Sequence, residues 1–189
     1  MSEIKLVFDE VKPKKKAPEH LADLTIAERR AKAESLGLPA FRANQIATHY
    51  FTHYNEEPDS WSDIPAAMRP LVAEHFLPKL LTPIRQVECD KGKTRKDLWR
   101  LHDGVLVETV LMRYKDRTTV CISSQAGCGM NCPFCATGQA GLTRNMSAAE
   151  ILDQIVRANQ AIAKGQLGGI YKHEDGTNER VNNIVFMGM

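Results

Sequence analysis

The chain has 189 residues, of which 43% are hydrophobic and 25% are charged, and its formal net charge is +2. This composition is ordinary for a soluble protein, and the length is enough to bury a core in one or two domains. No apolar run reaches about 18 residues, so a transmembrane helix is not expected. Residues 1–16 lack the apolar segment of a secretory signal. A net charge of +2 is too small to indicate nucleic-acid binding by itself.

The first part of the chain is predicted to be a flexible basic arm, residues 1–20, followed by a helical domain of an RNA-binding type, residues 21–82. Three stretches of the domain are predicted to be helical: residues 25–37, 39–54 and 64–76. Thr25 and Glu28 have the spacing of a capping box, and Pro70 is expected to break the third helix. Tyr50 and Phe51 are expected in the core, with a base-stacking surface as the alternative.

After Pro83 the pattern changes to short strand-like runs separated by turn residues. The four predicted strands are residues 84–89, 94–102, 105–113 and 118–123. Asp103 and Gly104 predict a hairpin between the second and third of these strands. If the next turn is centred on residues 115–116, Glu108 faces Ser123 and lies diagonal to Cys121 on one face of the sheet.

A helix over residues 146–163 is predicted from its apolar face and from Ser147 and Glu150, which have capping-box spacing. A polar loop and a strand over residues 181–187 follow. Strand, helix and strand form a βαβ unit and therefore a parallel pair. The pattern stops there, so we expect residues 83–189 to be an incomplete α/β domain and the chain to be a fragment of a longer protein.

Three of the five cysteines, Cys128, Cys132 and Cys135, lie within eight positions. Without a secretory signal, such clustering indicates metal-binding or catalytic thiols in a reducing, cytoplasmic compartment. Iron–sulfur clusters usually have four cysteine ligands, so three thiolates hold three irons of a 4Fe–4S cluster and leave the fourth iron open. The C-x3-C-x2-C spacing, with Phe134 before the last cysteine, resembles the radical S-adenosylmethionine (SAM) superfamily, in which SAM binds that iron.

Five segments together resemble a narrower family, the bacterial dual-specificity RNA methyltransferases that methylate carbon 2 of adenine in 23S rRNA and tRNA. The segments are residues 39–46, 108–112, 121–128, 137–139 and 182–189. The resemblance implies an α/β fold in which a small N-terminal helical domain precedes the start of a partial (βα) barrel, truncated here after its second barrel strand. It also implies a 4Fe–4S cluster and SAM as cofactors, a reducing electron donor such as flavodoxin, 23S rRNA and tRNA as partners, no membrane association and a monomer.

The resemblance also assigns roles to individual residues. Cys128, Cys132 and Cys135 match the cluster ligands, Phe134 matches an aromatic that packs beside the cluster, and Met187 and Gly188 match SAM contacts. Glu108 matches the proposed proton acceptor, although Cys121 could also act as a base. Cys121 matches the cysteine that resolves a protein–RNA crosslink by forming a disulfide. The methyl-carrying cysteine of the family has no match before residue 189, so the 189 residues alone are not expected to complete the reaction.

Three alternatives remain open at this point. Cys121 could join the three clustered cysteines in a tetrahedral zinc site of a non-catalytic RNA-interaction module. The cluster could serve electron transfer alone, although a fourth cysteine would then be expected. The target could be carbon 8 of adenine, since related enzymes share the cysteine loop.

Cys89 is expected to be a small buried hydrophobe. Five basic residues on or beside the hairpin strands are expected either to contact phosphates or to form a solvated sheet face: Arg85, Lys93, Arg95, Lys96 and Arg100.

Overall fold

The computed structural model describes residues 16–130, 132–139, 141–172 and 176–188. Residues 1–15 of the predicted arm lie outside the described residues, as do Asn131 and Met189 of the quoted motifs. Within these ranges, no helix combines the length and the apolar character that crossing a membrane requires.

Five α-helices, four short 3-10 helices and six strands make up the described fold, which confirms the predicted α/β class. The helices are α1 (Ile26–Ser35), α2 (Phe41–Phe51), α3 (Arg69–Phe76), the short α4 (Ala136–Gln139) and α5 (Ala148–Ala163). The strands are β1 (Thr82–Cys89), β2 (Thr94–Arg100), β3 (Leu106–Arg113), β4 (Thr118–Gly127), β5 (Leu142–Asn145) and β6 (Asn183–Gly188). Helix α4 and strand β5 were not predicted.

The helix starts follow the local sequence. Both predicted capping boxes are confirmed: Thr25 caps α1 with Glu28, and Ser147 caps α5 with Glu150. The expectation that Pro70 breaks the third helix is wrong. Pro70 lies in the first turn of α3, where its missing N–H leaves no helical hydrogen bond unmade, so it helps the helix to begin.

The six strands form one sheet in which β1, β2, β3 and β4 are successive antiparallel neighbours. The hairpin at residues 101–105 is confirmed, with a hydrogen bond of 3.0 Å from the Gly104 N–H to the Leu101 carbonyl. Strand β6 pairs in parallel with β4, so the predicted βαβ unit of β4, α5 and β6 is also confirmed. Gln125 pairs with both Asn145 of β5 and Gly188 of β6, so these two strands flank the carboxyl end of β4.

Helix α5 packs against one face of the sheet, where Leu111, Val120 and Ile122 are buried with Ala158 and Ile162 of the helix. The opposite face is partly exposed. Alternation along the strands puts six side chains of the predicted sheet on this open face: Lys96, Leu98, Glu108, Val110, Cys121 and Val185. The open face therefore carries two of the predicted site residues, Glu108 and Cys121.

The N-terminal helices share their core with the sheet and α5. One cluster of buried side chains includes Ile46 and Tyr50 of α2, Trp99 of β2 and Val156 of α5. The Tyr50 hydroxyl donates a hydrogen bond of 2.9 Å to the Asp153 carboxylate on α5. Tyr50 is fully buried, so its expected core position is confirmed. The domain boundary after residue 82 stays a prediction.

Candidate functional site

The candidate site lies where the parallel strands β4 and β6 end. The carboxyl ends of parallel strands meet at one edge of a sheet, and this edge is the usual place for a binding site in open α/β folds. Strand β4 runs directly into residues 128–141, here called the cysteine loop, and β6 ends at Met187 and Gly188. Ser123 pairs with Met187, and Gln125 with Gly188. The fold thus brings the predicted cluster ligands and the predicted SAM contacts to the same edge.

The two ends of the cysteine loop are held together by backbone contacts. The Cys128 N–H donates a hydrogen bond of 3.0 Å to the Gly141 carbonyl. Gly127 has φ +76°, and a Cβ at this position would lie 2.1 Å from the Gly141 carbonyl oxygen. Only glycine tolerates both conditions. After the loop, β5 pairs antiparallel with the last residues of β4, so the loop leaves and rejoins the sheet at one point.

All three loop cysteines are free and only partly buried. Cys135 immediately precedes α4, and its sulfur accepts hydrogen bonds from the Gly138 N–H and from the N–H and hydroxyl of Thr137. These bonds favour the thiolate and lower the pKa of Cys135 below its ordinary value, with the Gly138 N–H contributing most. Phe134 is 88% exposed beside it. Thiolates are the donors that iron–sulfur clusters require, so the loop fits a cluster in the type of its ligands.

The structure does not gather these ligands into a coordination sphere. Among the described residues, no three His, Cys, Asp or Glu side chains are arranged as metal ligands. The assignment of Cys128, Cys132 and Cys135 to a cluster therefore stays a prediction that rests on spacing and donor chemistry.

Cys121 lies in the middle of β4, between Val110 of β3 and Val185 of β6. Burial raises the pKa of its thiol, which favours the protonated form. Cys121 and Cys128 are seven positions apart along an almost entirely extended strand, which corresponds to roughly 20 Å at about 3.3 Å per residue. Zinc–sulfur bonds are about 2.3 Å long. This separation disfavours a zinc site that combines Cys121 with the three loop cysteines.

Glu108 lies on the open face next to the cysteine loop. Its carbonyl accepts a hydrogen bond of 2.7 Å from the Ser123 hydroxyl, and Cys121 pairs with Val110, two residues along, as the predicted register requires. Glu108 also lines a pocket of about 310 Å³ together with Gly127, Thr137 and Gly141 of the cysteine-loop region. Pockets that bind small molecules have volumes of roughly 300–1,000 Å³, so this pocket lies at the lower end of that range. One pocket therefore joins the predicted proton acceptor to the predicted cluster loop.

Sequence reasoning missed the partner of Glu108. The Lys96 ammonium lies 2.8 Å from the Glu108 carboxylate. The predicted β2–β3 hairpin contained the necessary signal, because its register makes these two opposite charges diagonal neighbours on the open face. Lys96 is thus the ion-pair partner of Glu108 on the open face.

Two further expectations change with the structure. Arg95 does not face solvent or phosphate: it is buried on the helix side of the sheet, where its guanidinium donates to Asp97 and Gln166. Cys89 was expected to be buried, and it is exposed at the end of β1. The remaining basic residues of the predicted phosphate set, Arg85, Lys93 and Arg100, are exposed.

Comparison with known proteins gives strong matches over nearly the whole chain. A probable dual-specificity RNA methyltransferase RlmN of Nocardioides sp. is 56% identical over 184 residues, which cover 97% of this chain and 47% of that protein. The protein of the same name from Streptomyces coelicolor is 55% identical over 175 residues, covering 93% of this chain and 46% of that protein. The chain thus spans about half the length of the curated relatives it matches.

The fold has a match among solved structures. The crystal structure of a radical SAM methyltransferase from Sphaerobacter thermophilus is similar with a TM-score of 0.79 and 40% sequence identity, covering 91% of this chain and 47% of that one. No family model matches the chain.

Proposed function

Because the chain is a relative of the dual-specificity RNA methyltransferases named RlmN and spans about half of their length, we propose that the whole protein methylates carbon 2 of an adenine in 23S rRNA and tRNA. Carbon 2 lies between two ring nitrogens and is too electron-poor to attack the methyl group of SAM by displacement. The cofactors, a 4Fe–4S cluster and SAM, supply the one-electron chemistry that overcomes this difficulty, while the protein supplies positioning and electrostatics.

The observation that carries the proposal is the shared pocket between Glu108 and the cysteine loop in a chain so similar to RlmN proteins. Cys128, Cys132 and Cys135 would hold the cluster through three thiolates, and Met187 and Gly188 lie at the same sheet edge for contact with SAM. Phe134 lies next to the last of these ligands in sequence and would pack beside the cluster.

Glu108 would accept the proton that leaves carbon 2, since Glu108 lines the pocket and its side chain lies on the open face. Cys121 would resolve a protein–RNA crosslink by forming a disulfide with a methyl-carrying cysteine outside this chain. Burial raises the pKa of the Cys121 thiol, which favours its protonated form, and the thiol lies on the same face as Glu108. The 189 residues are therefore proposed to be inactive by themselves.

The same chemistry implies the cellular setting. We infer a reducing cytoplasm, a reducing electron donor such as flavodoxin, and 23S rRNA and tRNA as the partners. The protein would act as a monomer.

The first experiment is anaerobic reconstitution of the full-length protein with iron and sulfide, followed by electron paramagnetic resonance (EPR) of the reduced protein with and without SAM. A cluster signal that shifts when SAM is added supports the open iron. Cys132→Ala should lose the cluster, whereas Cys89→Ala, which removes an exposed cysteine outside the loop, should keep it. Stoichiometric zinc without iron would overturn the proposal.

The target atom is tested separately. The reconstituted protein is incubated with SAM, reductant and an adenine-containing fragment of 23S rRNA, and the methylated nucleoside is identified by mass spectrometry against standards. 2-Methyladenosine is the expected product. 8-Methyladenosine would keep the radical chemistry and refute the assignment to carbon 2.

A further inference from the structure

Gln154 on α5 is a fully buried polar residue for which the proposed reaction has no role. A side-chain amide can donate two hydrogen bonds and accept two, and Gln154 makes all four. Its oxygen accepts from the Ser123 N–H at 2.9 Å and from the Thr109 hydroxyl at 3.0 Å. Its nitrogen donates to the Ser123 carbonyl at 2.8 Å and to the Glu150 carbonyl at 3.2 Å. Gln154 thus binds both backbone polar groups of a single strand residue.

That strand residue lies where β3 and β4 separate. The two strands are paired from Arg113 and Thr118 to Val110 and Cys121. If the ladder continued, the backbone of Ser123 would pair with that of Glu108. The amide of Gln154 takes this place instead. The Ser123 hydroxyl still reaches the Glu108 carbonyl at 2.7 Å.

The pairing of β4 with β6 is also irregular at this point. Ser123 pairs with Met187 and Gln125 with Gly188, so Ser124 is an extra residue in β4. Such β-bulges redirect the strand that follows them and are frequent beside active sites. Here the strand that follows is residues 125–127, which lead into the cysteine loop.

We propose that Gln154 is a positioning residue of the candidate site: by binding the backbone of Ser123 where β3 and β4 separate, it sets the direction in which β4 enters the cysteine loop. This inference rests on the proposed function for the identity of the site, but the clamp itself is a property of the described chain. Gln154 does not touch the pocket, and it acts through Ser123.

An apolar side chain of the same size would fill the space without making the clamp. Ser123 would then have an unpaired N–H and carbonyl in the core. The expected response is that residues 123–126 of β4 open more readily, which loosens the entry of the strand into the cysteine loop.

The test compares Gln154→Met with a matched control on the same helix, Asn159→Leu. Asn159 is also buried and also binds strand-side backbone, accepting from the Val181 N–H at 3.0 Å, but it lies at the other end of β6. Gln154→Glu is the conservative variant, since a carboxyl buried there is kept protonated and retains both bonds to Ser123. All three are made in the full-length protein.

The first readout is amide hydrogen exchange without cofactors. Gln154→Met should speed exchange of residues 123–126 by roughly tenfold, the change expected when one buried hydrogen bond is lost. Asn159→Leu and Gln154→Glu should keep the exchange rate of residues 123–126 within about threefold of that in the parent protein, because neither change removes the hydrogen bonds to Ser123. If Gln154→Met does not fold, Gln154→Glu at neutral pH decides: exchange at residues 123–126 as fast as in an unfolded segment would overturn the proposal.

The second readout is one that packing alone would not change. The alkylation rate of Cys121 is measured against that of exposed Cys89 in the same molecule, so that global loosening cancels. The ratio should rise by at least about threefold in Gln154→Met and stay constant in Asn159→Leu, because only the first change alters local protection of β4. Equal ratios in the two variants would show that Gln154 is a packing residue and overturn the proposal.

The third readout separates this inference from the proposed function. Iron content and the EPR signal with SAM are compared in the parent protein and the variants after reconstitution. If the parent protein binds no cluster, the proposed function fails, while exchange and alkylation still decide the role of Gln154. If the parent binds a cluster and Gln154→Met gives an identical signal and loading, the clamp does not position the site and the inference fails.

Discussion

Gly127→Ala tests the closure of the cysteine loop. Gly127 has φ +76°, and an added Cβ would lie 2.1 Å from the carbonyl oxygen of Gly141, whereas real Cβ contacts are not shorter than 3.0 Å. The matched control is Gly104→Ala in the β2–β3 hairpin. Gly104 has φ +88°, so it shares the backbone strain, but its Cβ would meet nothing within 4 Å. The difference between the two variants therefore isolates the contact that closes the loop.

The expected magnitudes follow from these distances. An alanine in the left-handed region costs about 1–2 kcal/mol, and Gly104→Ala should lower the free energy of unfolding by that amount. In Gly127→Ala, the two backbones must also separate by about 0.9 Å, the difference between 3.0 and 2.1 Å. This shift disrupts the 3.0 Å hydrogen bond from Cys128 to Gly141, at an additional cost of about 1–3 kcal/mol. The total for Gly127→Ala is then roughly 2–5 kcal/mol.

Urea unfolding of both variants, monitored by circular dichroism, measures these values, with equal slopes confirming that the comparison is valid. The alkylation rate of Cys128 relative to Cys89 reports the loop directly, and it should rise only in Gly127→Ala. Equal free energies of unfolding, within about 0.5 kcal/mol, together with equal Cys128 reactivity would refute the reasoning that Gly127 and Gly141 hold the loop closed.

Two further predictions concern the packing around α5. Burial lowers the pKa of His20 from 6.5 to about 4, so the unfolded chain binds more protons between these values and stability should fall by about 3 kcal/mol as the pH drops from 6.5 to 4. His20→Asn retains an acceptor for the Ala22 N–H, and its free energy of unfolding, measured with urea across this pH range, should not show that fall. The same pH dependence in His20→Asn as in the parent protein would show that His20 is not its source. Arg144→Met should lower the free energy of unfolding by about 3–5 kcal/mol, because it leaves the fully buried Glu150 carboxylate without its bidentate partner. Lys96→Met should lower it by less than about 1 kcal/mol, because its ion pair is partly exposed. Similar losses for the two variants in urea unfolding would contradict this ranking.

The sequence predicts the parts of the fold that short-range rules govern. The capping boxes at Thr25 and Ser147 need only four consecutive residues, and the hairpin at Asp103 and Gly104 needs only turn chemistry. The parallel pairing of β4 with β6 follows from the helix between them. The register that places Glu108 opposite Ser123 follows from the length of one turn. The caps, the hairpin and the register are fixed by residues close to one another in the chain, and the parallel pair is fixed by the type of connection between its strands.

The features that the sequence did not predict depend on distant partners. Strand β5 has only four residues and exists because it pairs with the end of β4 beyond the cysteine loop. Arg95 is buried because Gln166, 71 positions away, and Asp97 satisfy its guanidinium. The Gln154 clamp requires knowing that β3 and β4 separate at Ser123. Periodicity and composition carry no information about such contacts, since they describe a side chain's neighbours along the chain only.

The hydrogen bond between Tyr50 and Asp153 has a consequence for synthesis on the ribosome. The two partners are separated by 103 residues, so Tyr50 leaves the exit tunnel 103 residues ahead of Asp153. At about 5–20 residues per second, this delay is roughly 5–20 s. During that interval the face of α2 that α5 later covers is open to solvent. Chaperone binding to nascent chains should therefore peak after the N-terminal helices emerge and decline once α5 has docked.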